Sequence, residues 1–255
     1  MKVLAFVQAR MGSTRLPGKV MKSLNDKPVI IHIVERLRLS QNIDDIVVLT
    51  STNPENKELI ECLQAYGVKV FAGDEENVLA RFQAALLLYP ADAIVRITGD
   101  SPLVDPIICD QLIDAFYQER ADYAYLSEWF AEGVDCEVIS AQKLKQLDSH
   151  SLRPSEQEHV TLHFYENNDG KFQCIEMKNQ QDDSHYRYTL DSFEDWQVIE
   201  ALYQANHNVR EMNYQSVKSF FDQHPEIKSL NQHIERNQGL AISLLQESEF
   251  GGGSE

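Results

Sequence analysis

The first half of the chain alternates between short apolar runs and amphipathic stretches. Runs typical of strands cover residues 3–7, 46–50, 68–71 and 93–97, and the first is apolar enough to predict a buried strand. The stretches between them predict helices over residues 28–39, 55–66 and 78–88. Pro28 suits a first helical turn, and Gly67 suits a helix stop. Strands that alternate with helices predict right-handed crossovers and an α/β fold with a mostly parallel sheet covered on both faces.

The second half of the chain has shorter and less regular elements. Its pattern predicts strands at residues 123–126, 137–139, 172–177 and 186–189. It predicts a helix at residues 155–166 and mostly helical structure from residue 191 to residue 246. We expect one domain over residues 1–225, with a protruding dimerisation or acceptor-binding extension at about residues 122–185. A C-terminal helical segment (226–248) and a flexible glycine-rich tail (249–255) would follow.

A loop rich in cations and glycine follows the first predicted strand. In parallel sheets, ligands bind beyond the carboxyl ends of the strands, so this loop is well placed. Its glycines let the backbone approach a ligand closely, and its cations neutralise charge. It matches neither the GxxxxGK[ST] nor the GxGxxG pattern. The position, glycines and cations of this loop predict a polyphosphate site, with these ligands: Arg10, Gly12, Ser13, Arg15 and Lys19. The alternative is a surface turn with solvated cations.

Two carboxylates stand where later strands are predicted to end. Asp100 follows the strand at residues 93–97, and Asp191 follows the strand at residues 186–189. Mg²⁺ is commonly held by one or two protein carboxylates together with phosphate oxygens and water, so both residues are candidate metal ligands. The alternative for Asp100 is to cap the next helix, a role that Asp105 fits better. The alternative for Asp191 is a capping box with Glu194.

Two further acidic segments are candidates for binding a hydroxylated acceptor. They contain Asp135 with Glu137, and Glu158 with His159. A histidine here could serve as a general base or as a hydrogen-bonding partner, although a helical Glu-His pair can also be purely structural. Arg96 could contact the ligand or pair with an acidic neighbour.

Charge and cysteine usage restrict the class of partner. The 255 residues carry a formal net charge of −17, which disfavours nucleic acid and anionic membranes as partners. The four cysteines are scattered without a CxxC pair, as is typical of a reduced cytoplasmic protein. No apolar run approaches the length of about 18 residues expected of a membrane span.

Taken together, these motifs resemble the CMP-sugar synthetases, which activate 2-keto-3-deoxy sugar acids such as Kdo and sialic acid. The run at residues 8–19 is similar to the signature loop of that family. The nearest branch is that of the spore-coat polysaccharide biosynthesis cytidylyltransferase-like proteins. The similarity to this branch extends to residues 73–82, 96–102, 133–138, 158–161, 189–192 and 231–239.

The resemblance implies a Rossmann-like nucleotide-diphospho-sugar transferase fold, a three-layer α/β/α sandwich with a dimerisation extension. It implies a homodimer that uses CTP, Mg²⁺ and a small sugar acceptor and releases pyrophosphate. Arg10, Lys19 and Asp100 would carry catalysis, with Asp100 and Asp191 as metal ligands. Further nucleotide contacts would come from Asn77, Arg81 and Thr98.

The chain departs from the Kdo enzymes at Thr98, where those enzymes have a Gln that helps to read cytosine. A different base or a non-acid acceptor is therefore an alternative. A non-catalytic nucleotide-binding module and a glycosyltransferase are others, although Gly99-Asp100-Ser101 is not the DxD motif usual in glycosyltransferases.

Overall fold

A seven-stranded sheet forms the centre of the computed structural model, which describes residues 1–251. The strands, including a short separate hairpin made by β2 and β3, are β1 (Val3–Gln8), β2 (Ser23–Leu24), β3 (Lys27–Pro28), β4 (Asp45–Ser51), β5 (Lys69–Gly73), β6 (Ala93–Thr98), β7 (Tyr123–Leu126), β8 (Glu137–Ser140) and β9 (Cys174–Met177). The order across the main sheet is β5-β4-β1-β6-β8-β7-β9. Only β8 runs antiparallel to its neighbours within this sheet, so the predicted mostly parallel sheet is confirmed.

The helices cover both faces of the sheet, which gives the predicted three-layer α/β/α sandwich. They are α1 (Val29–Leu37), α2 (Lys57–Ala65), α3 (Val78–Leu88), α4 (Pro106–Gln118), α5 (Ala141–Gln146), α6 (Pro154–Glu158), α7 (Leu162–Glu166), α8 (Phe193–Ala205), α9 (Tyr214–Gln223), α10 (Pro225–Lys228) and α11 (Gln238–Gly251). Alternate residues of β1 enter two separate cores, because successive strand side chains point to opposite faces. Val7 packs in the core shared with α1, α4 and α8, whereas Phe6 packs in the core shared with α3 and α5.

The register of β1 and β6 places two predicted loops side by side. Gln8 pairs with Thr98, and the Gly99 amide donates to the Gln8 carbonyl at 2.8 Å. A Cβ on Gly99 would lie 2.9 Å from the Ala9 Cβ, so only glycine allows this close approach. The cation-rich loop and Asp100 therefore leave the sheet at the same edge.

The strand predicted at residues 186–189 is wrong. This segment is extended but forms only an isolated bridge, between Arg187 and Glu132. Its amides and carbonyls bond to loops instead: the Tyr188 amide donates to the Glu132 carbonyl at 2.7 Å, and the Leu190 amide donates to the Asp100 carbonyl at 2.8 Å. Because the segment is hydrogen-bonded to both loops, it places Asp191 beside Asp100.

The single helix predicted at residues 155–166 is also wrong. Val160 has a φ of 50°, which interrupts the helix and separates α6 from α7. Val160 is fully buried, so packing holds it in a conformation that β-branched residues disfavour.

The region after residue 226 differs in part from the predicted helical segment. Residues 229–237 are not helical, and α11 continues to Gly251, which makes the start of the expected flexible tail helical. Residues 252–255 lie outside the described part of the chain. Residues 122–185 contribute β7, β8 and β9 to the central sheet, and their role in a dimer stays a prediction. Over residues 1–251, no helix has the length and apolar character needed to cross a membrane.

We expect Gly133→Ala to destabilise the fold more than Gly170→Ala does. Both glycines have positive φ, 94° and 64°, so each substitution introduces strain of about 1–3 kcal/mol. A Cβ on Gly133 would in addition lie 2.2 Å from the Thr189 nitrogen, whereas a Cβ on Gly170 would have no neighbour within 4 Å. Urea unfolding of the two variants measures the difference. Equal losses would show that the approach of Gly133 to residue 189 is not a constraint.

Candidate active site

A buried asparagine, Asn56, holds the loop after β1 in place. The Asn56 side-chain oxygen accepts from the Met11 amide at 2.8 Å, and its nitrogen donates to the Ser51 hydroxyl at 2.7 Å. Within the loop, the Ser13 hydroxyl accepts from the Leu16 amide at 3.2 Å. Gly18 has a φ of 66°, a conformation that favours glycine, and it turns the chain towards Lys19.

Lys19 bridges the two carboxylates that the sequence marks as metal ligands. Its ammonium donates to the Asp100 Oδ2 at 2.8 Å and to the Asp191 Oδ1 at 2.6 Å. The three residues come from different segments: the loop after β1, the loop after β6 and the segment before α8. The ammonium therefore marks a point at which the two carboxylates converge.

The two arginines of the loop are also paired with carboxylates. Arg15 donates to the Asp191 Oδ2 at 2.9 Å and to the Gln238 side-chain oxygen at 3.0 Å. Arg10 donates to the Glu75 Oε1 at 2.6 Å. Each of these arginines is thus paired with a carboxylate of the fold.

The charges of Lys19 and Asp100 stabilise each other. Burial opposes ionisation of both groups, but their mutual attraction outweighs it. The pKa of Asp100 therefore lies below its usual value, mainly because of the Lys19 ammonium. The pKa of Lys19 lies above its usual value, because Asp100 and Asp191 outweigh its burial. Both groups are charged at neutral pH.

Asp191 is free to face Lys19 because Asp195 carries out the capping. The Ser192 hydroxyl accepts from the Asp195 amide at 3.1 Å, and the Asp195 Oδ2 accepts from the Ser192 amide at 2.9 Å, which forms a capping box for α8. The alternative that Asp191 forms a capping box with Glu194 is therefore wrong. Asp105, as expected, caps α4.

Asp195 is the centre of a buried network. Its side chain is fully buried and accepts two bonds from Arg187, at 2.8 and 3.0 Å, and one from Asn231 at 2.8 Å. Its Oδ2 also accepts from the Asp191 amide at 3.0 Å. Arg187 in turn pairs with Glu132. This network fixes the backbone from which Asp191 projects.

A cleft of about 460 Å³ opens above these residues. The predicted residues that line it are Arg10, Gly12, Ser13, Arg15, Lys19, Arg81, Thr98, Asp100, Glu158, His159 and Asp191. Arg96 lines the cleft as well. It donates to the Gln8 side-chain oxygen at 3.0 Å and forms an ion pair with Glu137. The cleft thus joins the cation-rich loop to one of the two predicted acceptor segments.

Three predicted site residues do not line this cleft. Asn77 is buried, caps α3 by accepting from the Ala80 amide, and donates to the Ser149 carbonyl. Glu137 is engaged by Arg96 and Tyr123. Asp135 accepts from the Gly133 amide and from Arg236. Their side chains are committed to contacts within the fold, and their predicted ligand contacts stay predictions.

Arg81 and Thr98 line the cleft but also have partners. Arg81 donates to the carbonyls of Asp74 and Glu75, at 2.7 and 3.0 Å. The Thr98 hydroxyl lies 3.0 Å from the Ser101 hydroxyl. Thr98 therefore offers a small, already hydrogen-bonded side chain to a ligand, where a Gln would reach further.

The structure adds residues that sequence reasoning missed. Asn56 and Asn231 act by supporting loops. Residues 231–239 are among the segments similar to the family branch, but that similarity assigns no role to Asn231. Asp195 carried a readable signal, because Ser192-x-x-Asp195 is itself a capping-box pattern. Three residues of α11 also line the cleft: Gly239, Ile242 and Ser243.

The donor set of the site fits a hard divalent cation. Asp100 and Asp191 each present an oxygen within 2.8 Å of the same lysine nitrogen, so a cation already occupies the point between them. Residues 1–251 contain no cluster of three or more His, Cys, Asp or Glu side chains placed to hold a metal. A cation bound here would need further oxygen ligands from phosphate or water, as Mg²⁺ commonly has.

These features define a nucleotide-dependent transferase: an α/β sandwich with a cation-rich loop and paired carboxylates at the carboxyl edge of its sheet. The chain belongs to the cytidylyltransferase family, whose model matches residues 4–220. The expected resemblance and the enzyme class, a nucleotidyltransferase, are confirmed.

Two relatives and one solved structure illustrate the similarity. The spore coat polysaccharide biosynthesis protein SpsF of Bacillus subtilis is 36% identical over 79% of this chain and 86% of its own. An 8-amino-3,8-dideoxy-manno-octulosonate cytidylyltransferase of Shewanella frigidimarina is 28% identical over 64% of each chain. A cytidylyltransferase structure from Leptospira borgpetersenii superposes with a TM-score of 0.85 and 35% identity, covering 92% of this chain and 100% of that one.

We expect Asp195→Asn to lower the free energy of unfolding by about 3–5 kcal/mol, because it breaks a buried ion pair. Burial opposes ionisation of Asp195, but Arg187 outweighs it and lowers the pKa of the carboxyl. A lowered folded-state pKa gives stability above the unfolded-state pKa, and this stability is lost as the pH falls through the folded-state value.

Urea unfolding between pH 7 and pH 3 tests this expectation. The stability of wild type should fall more steeply with acid than that of Asp195→Asn. The exposed Asp114→Asn is the matched control and should follow wild type. Parallel pH curves for wild type and Asp195→Asn would contradict a charged Asp195 at the centre of the network.

Proposed function

We propose that this enzyme transfers CMP from CTP to a sugar acid, or a related surface-polysaccharide precursor, and releases pyrophosphate in a Mg²⁺-dependent reaction in the cytoplasm. The observation that carries the proposal is the Lys19 bridge between Asp100 and Asp191, beside Arg15 and inside the cleft. It brings the cations suited to a leaving pyrophosphate next to the carboxylates suited to a metal.

Donor binding would exchange one set of ion pairs for another. A triphosphate carries about four negative charges and would draw Lys19, Arg15 and Arg10 away from their carboxylate partners. The backbone amides of Gly12 and Ser13 lie in the same loop and line the same cleft. The cations would then stabilise the charge that develops on the departing pyrophosphate.

The released carboxylates of Asp100 and Asp191 would hold Mg²⁺. Bound there, the metal would neutralise charge on the reacting phosphate. The lysine bridge supports this assignment, because it shows both side chains turned towards one cation.

Glu158 and His159 line the same cleft as the cation-rich loop and support an acceptor site there. An acceptor hydroxyl would attack the α-phosphorus as the bond to pyrophosphate breaks. The rate would come mainly from holding the two reactants in this geometry and from neutralising charge.

The acceptor class and the base are supported by different observations. A sugar acid is named as the acceptor in the description of the Shewanella relative. Cytosine is supported by the family, while the short Thr98 side chain keeps another base as the alternative. We also propose a homodimer, because the resemblance of residues 122–185 to the family extension implies one.

Pyrophosphate release across CTP, UTP, GTP and ATP, combined with a panel of sugar acids, tests this function. We expect release with CTP and a sugar acid in the presence of Mg²⁺. Asp100→Asn should lower the rate by at least about 100-fold, as expected when a group stabilising transition-state charge is lost. Asp114→Asn is the matched control. Release with another nucleotide alone would contradict the base, and a near wild-type rate for Asp100→Asn would contradict the metal site.

Lys19→Ala should weaken CTP binding by roughly 10–100-fold, because a hydrogen bond to a charged group contributes about 1.5–3 kcal/mol. Isothermal titration with CTP and Mg²⁺ measures the affinity. Lys57→Ala removes an equal charge from an exposed position whose nearest ion-pair partner, Glu61, is 3.7 Å away, and it should leave the affinity unchanged. A wild-type affinity for Lys19→Ala would exclude the loop as the triphosphate site.

A further inference from the structure

One wall of the cleft comes from α11, which lies beyond the region matched by the family model. Gly239, Ile242 and Ser243 line the cleft and follow the i, i+3, i+4 spacing, so they share one face of the helix. The family model ends at residue 220, so it assigns no role to this wall.

α11 is held against the cleft at both ends. At its first residue, Gln238 accepts from Arg15 of the cation-rich loop at 3.0 Å. Further along, Glu247 accepts from the Ser155 hydroxyl of α6 at 2.8 Å. The helix therefore spans the cleft from the donor side to the predicted acceptor side.

Between these ends, Ser243 joins the two predicted acceptor ligands. Its hydroxyl donates to the Glu158 Oε2 at 2.9 Å and lies 3.0 Å from the His159 Nε2. The Gly239 carbonyl, at 3.1 Å, is a second acceptor for the same hydrogen, but hydrogen bonds to carboxylates are the stronger class. A hydroxyl that donates to Glu158 can only accept from His159, which places the histidine proton on Nε2.

This arrangement leaves two hydrogen-bond acceptors for a ligand. Nδ1 of His159 has no partner within residues 1–251, and Glu158 keeps Oε1, because Ser243 bonds only to its Oε2. Burial and the nearby Arg96 lower the pKa of His159, so the ring is neutral at neutral pH. A carboxylate and a neutral imidazole nitrogen bind hydrogen donors and disfavour a second carboxylate.

We infer that Ser243 is a positioning residue that holds Glu158 and His159 as one unit for reading hydroxyl groups of the acceptor. The carboxylate of a sugar acid would lie away from the Glu158 carboxylate, near one of the cations that line the cleft. This inference rests on the proposed function and adds which part of the acceptor the α11 wall recognises.

Steady-state kinetics of three variants test the inference. Ser243→Ala should raise KM for the acceptor about tenfold, equivalent to the loss of one or two hydrogen bonds, while kcat and KM for CTP stay near wild type. Ser243→Thr keeps the hydroxyl and should restore most of the acceptor affinity. Ser219→Ala on α9, an exposed serine outside the cleft lining, is the matched control and should behave as wild type.

Acceptor analogues that each lack one hydroxyl sharpen the test. For the analogue without the hydroxyl read by this unit, Ser243→Ala should cause no further increase in KM. An equal effect of Ser243→Ala on every analogue, or on KM for CTP, would reduce Ser243 to a packing residue and overturn the inference.

The failures of the two proposals are distinguishable. If wild type releases no pyrophosphate with any sugar acid, the proposed function fails and this inference fails with it. If wild type is active and Ser243→Ala keeps its acceptor KM, only the inference is overturned.

Discussion

The attraction between one ammonium and two carboxylates organises the functional half of this molecule. Lys19, Asp100 and Asp191 come from three segments that meet only at the edge of the sheet. Two carboxylates turned towards each other would repel, and the ammonium between them removes that cost. Under the proposed function, the same three residues would have to separate when a nucleotide and a metal bind, so this interaction would also oppose binding.

Much of the fold could be predicted because its first half has strong local signals. β1, β4, β5 and β6 are mostly apolar runs, and amphipathic stretches that predict helices lie between them. The errors lie where distant contacts decide the backbone. Residues 186–189 have the pattern of a strand, but Gly133 packs directly against them. Hydrogen bonds connect this part of the chain to Glu132 and Asp100 instead of to a neighbouring strand. The helix break at Val160 is held by burial, which a local pattern does not report.

The site residues that could be predicted from the sequence are those that follow neighbouring strands and so meet at one edge of the sheet. Arg15, Lys19 and Asp100 come together because β1 and β6 are parallel neighbours. Asn77 and Asp135 have side chains suited to binding a ligand, but these side chains form hydrogen bonds within the fold. Ser243 lies too far along the chain for any local spacing to connect it with His159. The kind of side chain in the site was therefore easier to predict than the residues that hold each side chain in place.

The bond from Asn231 to Asp195 has a consequence for how the enzyme matures. Synthesis proceeds from the amino terminus, and domains tend to fold as their residues emerge. The cation-rich loop and Asp100 can form early, but the network that supports Asp191 is complete only after Asn231 has left the ribosome. A nascent chain would hold its cation-rich loop before its second carboxylate is fixed. The competent site would therefore form only after residue 231 has been synthesised.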